Sequence, residues 1–295
     1  MIMMILGKKF GQLGNRLFLY AHLIAAAEEY GVELVNPSFA EYARMFPRTA
    51  HDRWCHYPVS PRQSGRPSHW GRHVLSKAVE FGGRGLHALG GNFPKLKVIR
   101  LGHGESMDLG SDEFASLVWS RHVLLQGWLF RSERLLHQHA EVIRTHFAIP
   151  ETLQASIDAR LNRLRDQADV IVGVHIRHGD YATYLNGKYF YPTSEYANVM
   201  RQIQEQLAPA RVGFLVCGNG ILREHDFSGL TVSCESDGVI EDLYGFAGTD
   251  LLVGPPSTFT GWAAFYGKVP IHWLESTENL RDVRAMLQDR SMLAA

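Results

Sequence analysis

Residues 170–181 read Val170-Ile171-Val172-Gly173-Val174-His175-Ile176-Arg177-His178-Gly179-Asp180-Tyr181. An unbroken apolar run of this kind predicts a strand buried on both faces, as in a parallel sheet covered by helices. It leads directly into His175, Arg177, His178 and Asp180, four polar or ionisable groups within six positions. In α/β proteins ligands bind outside the carboxyl ends of parallel strands. A guanidinium placed there suits a phosphate or a developing anion, because it donates two parallel hydrogen bonds. The stretch therefore predicts a phosphate- or glycosyl-handling enzyme centred on Arg177.

Working outward, strand and helix signals alternate through the second half. Apolar residues at Leu153, Ile157, Leu161 and Leu164 predict a helix over 151–167, and Tyr196, Val199, Ile203 and Leu207 a helix over 191–207. Further strands are expected at 212–217, 251–253 and 269–273, and helices at 240–247, 257–266 and 278–289. Such alternation implies a parallel sheet with helices on both faces. The N-terminal end repeats the theme. A short apolar strand at 1–6 precedes Gly11-Gln12-Leu13-Gly14-Asn15-Arg16, then a helical pattern at Leu17, Tyr20, Ile24 and Ala27 that stops at Gly31. Strands are expected at 32–35 and 123–126, and a helix over 132–146. Pro150 marks the boundary between two domains, 1–150 and 151–295. Residues 48–112, rich in Arg, His, Gly and Pro, predict long loops with short helices, anchored by Trp54, Trp70, Phe81 and Phe93.

Composition bounds the function. The chain has 295 residues, enough for two cores. Thirty basic residues balance thirty acidic ones, so nothing points to nucleic acid. Three cysteines make a sparse, odd set that fits a reducing compartment. The N-terminal apolar run is too short for a secretory signal, and no run reaches the roughly 20 apolar residues of a membrane span. Peripheral membrane contact stays open. Fifteen histidines invite a metal, but there is no His-Glu-x-x-His motif, no paired Cys-x-x-Cys and no Asp-x-Asp clamp. No metal and no resident cofactor are expected.

Three other segments carry candidate chemistry. Glycines at the strand-to-helix turn around Gly14 let amides approach a phosphate, with Asn15 as a side-chain donor; a plain tight turn accounts for them equally well. Ser257, Thr258 and Phe259 follow Pro255-Pro256 and open a helix, which makes Ser257 an N-cap and its helix start an anion site. Asp242 on a short helix can accept paired bonds from the N1–H and 2-amino group of a guanine, or be a helix N-terminal surface acid. Arg177-His178-Gly179 also matches the Arg-His-Gly motif of histidine phosphatases, where the histidine is the nucleophile. The late position of the motif counts against that reading.

Taken in order, these segments resemble the GDP-fucose-dependent fucosyltransferases. The resemblance is strongest to the α-1,2-fucosyltransferases of glycosyltransferase family 11, and more distant to the α-1,6- and protein O-fucosyltransferases. It rests on Gly11–Arg16, on His175–Tyr181, on Asp242-Leu243-Tyr244 and on Ser257–Phe265. It departs at His178, where the family has a second arginine, and at Gly261-Trp262, where it has an aromatic pair. It implies an α/β, GT-B-like fold of two Rossmann-like domains facing across a cleft, the N-terminal one on the acceptor side and the C-terminal one holding the nucleotide sugar. It further implies inverting, metal-independent transfer of fucose from GDP-fucose to a glycan hydroxyl, a galactoside 2-hydroxyl above all. Arg177 would hold the β-phosphate, and Gly14 and Asn15 would approach the diphosphate. Ser257, Thr258 and Phe259 would hold phosphate and base, and Asp242 with the backbone near His175 would recognise guanine. Asp180 is the candidate base, or else a brace for Arg177. A bacterial, cytoplasmic enzyme of polysaccharide biosynthesis, peripheral to the inner membrane or free of it, is the expected setting. A phosphatase using His178 and a non-catalytic nucleotide-sugar-binding protein are the alternatives.

Overall fold

A computed structural model describes residues 2–59, 67–277 and 280–294, with the backbone alone for Asp180 and 289–294. The chain divides into two compact units, Met1–Pro150 and Glu151–Ala295.

The second unit is a five-stranded sheet in the order β11-β10-β9-β12-β13, with every pairing parallel. The strands are β9 (Val170–Ile176), β10 (Val212–Gly218), β11 (Thr231–Ser233), β12 (Leu251–Gly254) and β13 (Ile271–Trp273). From the central β9 the chain runs outward through β10 and β11, then returns to the other side of β9 for β12 and β13. The order therefore reverses between β9 and β12, and the crevice at their carboxyl ends is where this topology places a ligand. Helices cover both faces, so β9 is buried along nearly all its length. On one side Tyr196, Val199, Met200 and Ile203 of the helix Thr193–Leu207 pack on Val172, Val174, Phe214 and Val216. At about 25 cal/mol per Å² of apolar surface, each such side chain contributes roughly 1.5–3 kcal/mol.

The first unit repeats the plan. Its six-stranded sheet runs β3-β2-β1-β7-β5-β4, with β1 (Met3–Leu6), β2 (Glu33–Val35), β3 (His56–Tyr57), β4 (Asn92–Phe93), β5 (Leu96–Arg100) and β7 (His122–Gln126). The four inner strands are parallel, and β3 and β4 close the edges antiparallel. Strands β6 (Ser106–Asp108) and β8 (Leu129–Arg131) form a separate parallel pair. The helix Leu13–Tyr30 is buried along most of its length and ends on Gly31 in the left-handed region. The order here reverses between β1 and β7. No helix among the described residues is long and apolar enough to cross a membrane.

Three expectations need correction. Residues 48–112 are not mainly loops: they hold a 20-residue helix, His69–Ala88, and β5, an inner strand of the sheet. The helix escaped the apolar pattern because it buries Arg72, Glu80 and Gly83. Arg72 donates to the Thr49 and Ala50 carbonyls at 2.9 and 2.8 Å, and Glu80 is bridged by Lys77 and Arg84. Trp70 and Phe81 are not anchors, being 75% and 60% exposed, and Trp54 is also exposed. The expected helix over 132–146 is two, Glu133–Gln138 and Ala140–His146, broken at His139. The last helix is Val283–Ala294, while residues 278–279 of its expected start lie outside the described residues.

Candidate functional site at the carboxyl edge of the second sheet

Strand β9 delivers His175 into the protein and Arg177 out of it. His175 is 5% exposed; its Nδ1 lies 2.6 Å from Thr260 Oγ1, and its ring packs against Phe259 and Phe246. Burial, reinforced by the Arg177 charge, pushes its pKa down to about 3, so the imidazole is neutral at physiological pH. It is a pillar between β9 and the helix Thr258–Gly267. Gly254 at the end of β12 permits this, since a Cβ there would lie 2.9 Å from His175 Cβ.

Arg177 is half-buried just beyond the strand, its guanidinium 4.9 Å from the centroid of the Tyr181 ring. The Tyr181 hydroxyl donates to the Pro256 carbonyl at 2.7 Å. That bond ties the segment after β9 to the segment after β12. Ser257 is the N-cap: its Oγ accepts the Phe259 N–H at 3.2 Å, and its carbonyl accepts the Gly261 N–H. The first turn carries no acid, so the positive end of the helix dipole is left for an anion at the strand crossover. Thr258 and Phe259 sit half-buried in that turn.

Asp242 is no surface acid. It is 8% exposed, accepts from Ser236 Oγ at 2.7 Å and pairs with Arg160 Nη1 at 3.4 Å. Arg160, itself 4% exposed, also reaches Ser233 Oγ at 3.2 Å and Cys217 Sγ at 3.9 Å. Cys217 pairs in register with His175. Asp242 thus belongs to the same sheet edge as Arg177, on the β10 side. Cys217 is a third side-chain partner of Asp242, and a carboxylate offers about four acceptor sites.

His178 is committed elsewhere. Its Nε2 lies 3.0 Å from the Tyr191 carbonyl oxygen, its backbone N–H donates to Asn219 Oδ1 at 2.8 Å, and its ring packs against Phe190. A carbonyl only accepts, so Nε2 carries the proton and is not the nucleophilic nitrogen. The backbone of Asp180 forms a turn with Gly179, Tyr181 and Ala182; its side chain lies outside the described residues.

Gly14 and Asn15 open the helix Leu13–Tyr30 of the first unit, just beyond the carboxyl end of β1. Gly14 is buried, and the Asn15 amide folds back over Gly11, whose φ of +59° admits no Cβ beneath it. Arg16 Nε donates to the Gly11 carbonyl at 3.1 Å and Nη2 pairs with Glu41 at 2.8 Å, which holds the turn. The structure thus brings His175, Arg177, Asp242, Ser257, Thr258 and Phe259 to one edge of the second sheet, while Gly14 and Asn15 belong to the first unit.

Sequence reasoning missed Arg160, Ser236, Thr260 and the bracing role of Tyr181. For Arg160 a signal existed: it falls three residues after Ile157 and four before Leu164, on the apolar stripe of its own helix. A cation on such a stripe implies a buried partner.

No protein-family model matches the chain. No curated protein matches it in sequence. Solved structures do match in fold. The structure of FUT1 from Arabidopsis thaliana in complex with GDP aligns with a TM-score of 0.57 at 11% identity, over 92% of this chain and 69% of that one. NodZ from Bradyrhizobium, a fucosyltransferase, aligns with a TM-score of 0.54 at 18% identity, over 93% and 96%. POFUT1 in complex with GDP-fucose aligns with a TM-score of 0.51 at 10% identity, over 92% and 97%. The chain has the α/β, GT-B-like fold of these fucosyltransferases.

Proposed function

We propose that this protein is a glycosyltransferase that moves fucose from GDP-fucose to a glycan hydroxyl. The observation that carries the reading is that Arg177 follows β9 and the Ser257 helix start follows β12, at the crossover of the sheet, with the two segments tied through Tyr181 and Pro256. The fold shared with fucosyltransferases solved with GDP and GDP-fucose supports the choice of donor.

Breaking a glycosyl–phosphate bond builds negative charge on the diphosphate and positive charge on the sugar. A fixed guanidinium and a helix N-terminus aimed at the diphosphate stabilise that change by several kcal/mol. Arg177 takes this role, Asp242 receives the N1–H and 2-amino group of guanine, and the neutral His175 holds the two walls in register. An inverting displacement also needs a base at the acceptor hydroxyl; Asp180, in the turn after Arg177, is our candidate. The missing Asp-x-Asp motif supports metal-independent departure of GDP. Order and spacing of the motifs favour α-1,2 transfer to a galactoside.

The test is turnover of GDP-fucose with a panel of galactosides, with and without a chelator. Arg177→Ala should lower GDP release about a hundred- to a thousandfold, and chelation should leave it unchanged. Wild-type rates in the Arg177→Ala protein would sink the assignment. Stabilisation by UDP in preference to GDP in a thermal-shift panel would overturn the donor. A protein that binds GDP but never turns over would be the non-catalytic alternative. The phosphatase reading is disfavoured by the His178–Tyr191 bond and requires hydrolysis of a phosphomonoester that His178→Ala abolishes.

A further inference from the structure

The helix His69–Ala88 is apolar on two sides, with half-buried Leu75, Val79 and Leu86 facing inward and a second apolar strip facing water. Its buried side carries Arg72, Glu80 and Gly83. At about 100° per residue, Trp70, Val74, Ala78, Phe81, Gly85 and Ala88 fall within an arc of about 80°, opposite Arg72 and Gly83. Trp70 is 75% exposed, Phe81 60% and Val74 44%, and Leu89 at the helix end is 76% exposed. A run of large apolar side chains facing water along a 20-residue helix calls for a covering partner.

Charge selects among partners. The only acid of the helix is Glu80, which is buried and held by Lys77 and Arg84. Lys77 and Arg84 border the apolar strip, His73 lies further round the same side, and exposed Arg53 stands beside the first turn at Gly71. A second copy packed on this face by a two-fold axis would oppose cation to cation, with no free carboxylate of the helix to receive either. An anionic lipid surface offers a phosphate to each cation and an acyl boundary to each ring. Tryptophan, basic residues and a one-sided apolar strip are the features of helices that lie in a membrane interface.

We propose that the helix His69–Ala88 is a membrane-docking face. It lays Trp70, Val74, Phe81 and Leu89 into the headgroup boundary of an anionic bilayer, with Arg53, Lys77 and Arg84 on phospholipid phosphates. The inference is independent of the activity proposed above.

The full chain is mixed with vesicles of phosphatidylcholine alone, or of phosphatidylcholine with phosphatidylglycerol, and floated on a density gradient. Co-flotation with the anionic vesicles, weakened by salt, is expected. Trp70→Ser with Phe81→Ser should lower the partition coefficient about tenfold per ring, while the melting temperature stays that of wild type. Quenching of wild-type tryptophan fluorescence by brominated lipids gives a readout that needs no variant. The proposal is overturned if the wild-type protein does not float with anionic vesicles, or if the double variant floats equally well. It is also overturned if light scattering shows a dimer that the double variant dissociates, since a second copy then covers this face.

Discussion

Lowering the pH from 7 to 5 should cost this protein about 6 kcal/mol of folding stability through three buried histidines alone. His22, His146 and His175 are each 5% exposed or less, and burial is the leading cause that pushes each pKa down to about 3. A neighbouring arginine adds to the shift in every case: Arg131, Arg48 and Arg177 respectively. In the unfolded chain the same groups titrate near 6.5. The unfolded state therefore takes up protons first, so their contribution is full above about pH 6.5 and is lost as pH falls towards 3. At pH 5 each histidine costs about 2 kcal/mol, by 1.36 kcal/mol per unit of separation. Two lie in the first unit and one in the second, so the first loses about 4 kcal/mol and the second about 2. Net stabilities of about 5–15 kcal/mol make this loss large. His146 is the cleanest probe. Neither of its ring nitrogens has a hydrogen-bond partner among the described residues, and its ring packs edge-on against Tyr20, Tyr57 and Phe147. Urea denaturation at pH 7, 6 and 5 should show His146→Leu losing about 2 kcal/mol less than wild type over that span. Equal losses in the two proteins, or a His146 ring resonance titrating near 6.5 in the folded state, would refute the reasoning.

Arg160→Met should cost about 3 kcal/mol in denaturation, because it leaves Asp242 buried beside no cation, and it should weaken GDP binding in calorimetry. An unchanged GDP affinity would remove Asp242 from the nucleotide site. Tyr181→Phe breaks the link to the Pro256 carbonyl and should cost about 1 kcal/mol of stability while lowering kcat/KM for the donor; full donor kcat/KM would leave the link without a role in the site. Arg72→Leu strands the Thr49 and Ala50 carbonyls and should destabilise the first unit by about 2 kcal/mol or more. A wild-type melting temperature there would mean that the buried guanidinium is dispensable.

The second unit was legible because its information is apolar and periodic. Strand β9 is apolar from Val170 to Val174, and the helix Thr193–Leu207 repeats its buried residues at helical spacing. The helix His69–Ala88 was not legible for the opposite reason. It docks through the Arg72 guanidinium, the Glu80 backbone carbonyl that accepts from Gln126 and the close approach of Gly83, and no hydropathy pattern encodes such contacts. Strand β11 escaped because it is three half-exposed residues at a sheet edge. At the candidate site, the position of Arg177 at the carboxyl end of β9 could be read directly, since it follows an apolar strand. Asp242 was identified without its company, because Arg160 and Ser236 meet it only through the fold.

The way the helix His69–Ala88 is held has a thermodynamic corollary. Apolar docking carries a large heat capacity, whereas exposing polar groups lowers it. Detaching this helix would uncover Arg72 with the Thr49 and Ala50 carbonyls it serves, and the Gln126 amide that serves the Glu80 carbonyl, beside the half-buried Leu75, Val79 and Leu86. Its local opening should therefore carry a smaller heat-capacity change than opening of the β9 core, and show a shallower dependence on urea. Amide hydrogens along 69–88 would then exchange through an opening whose denaturant slope is far below that of β9. The helix would behave as a hinged flap on a sheet that stays folded beneath it.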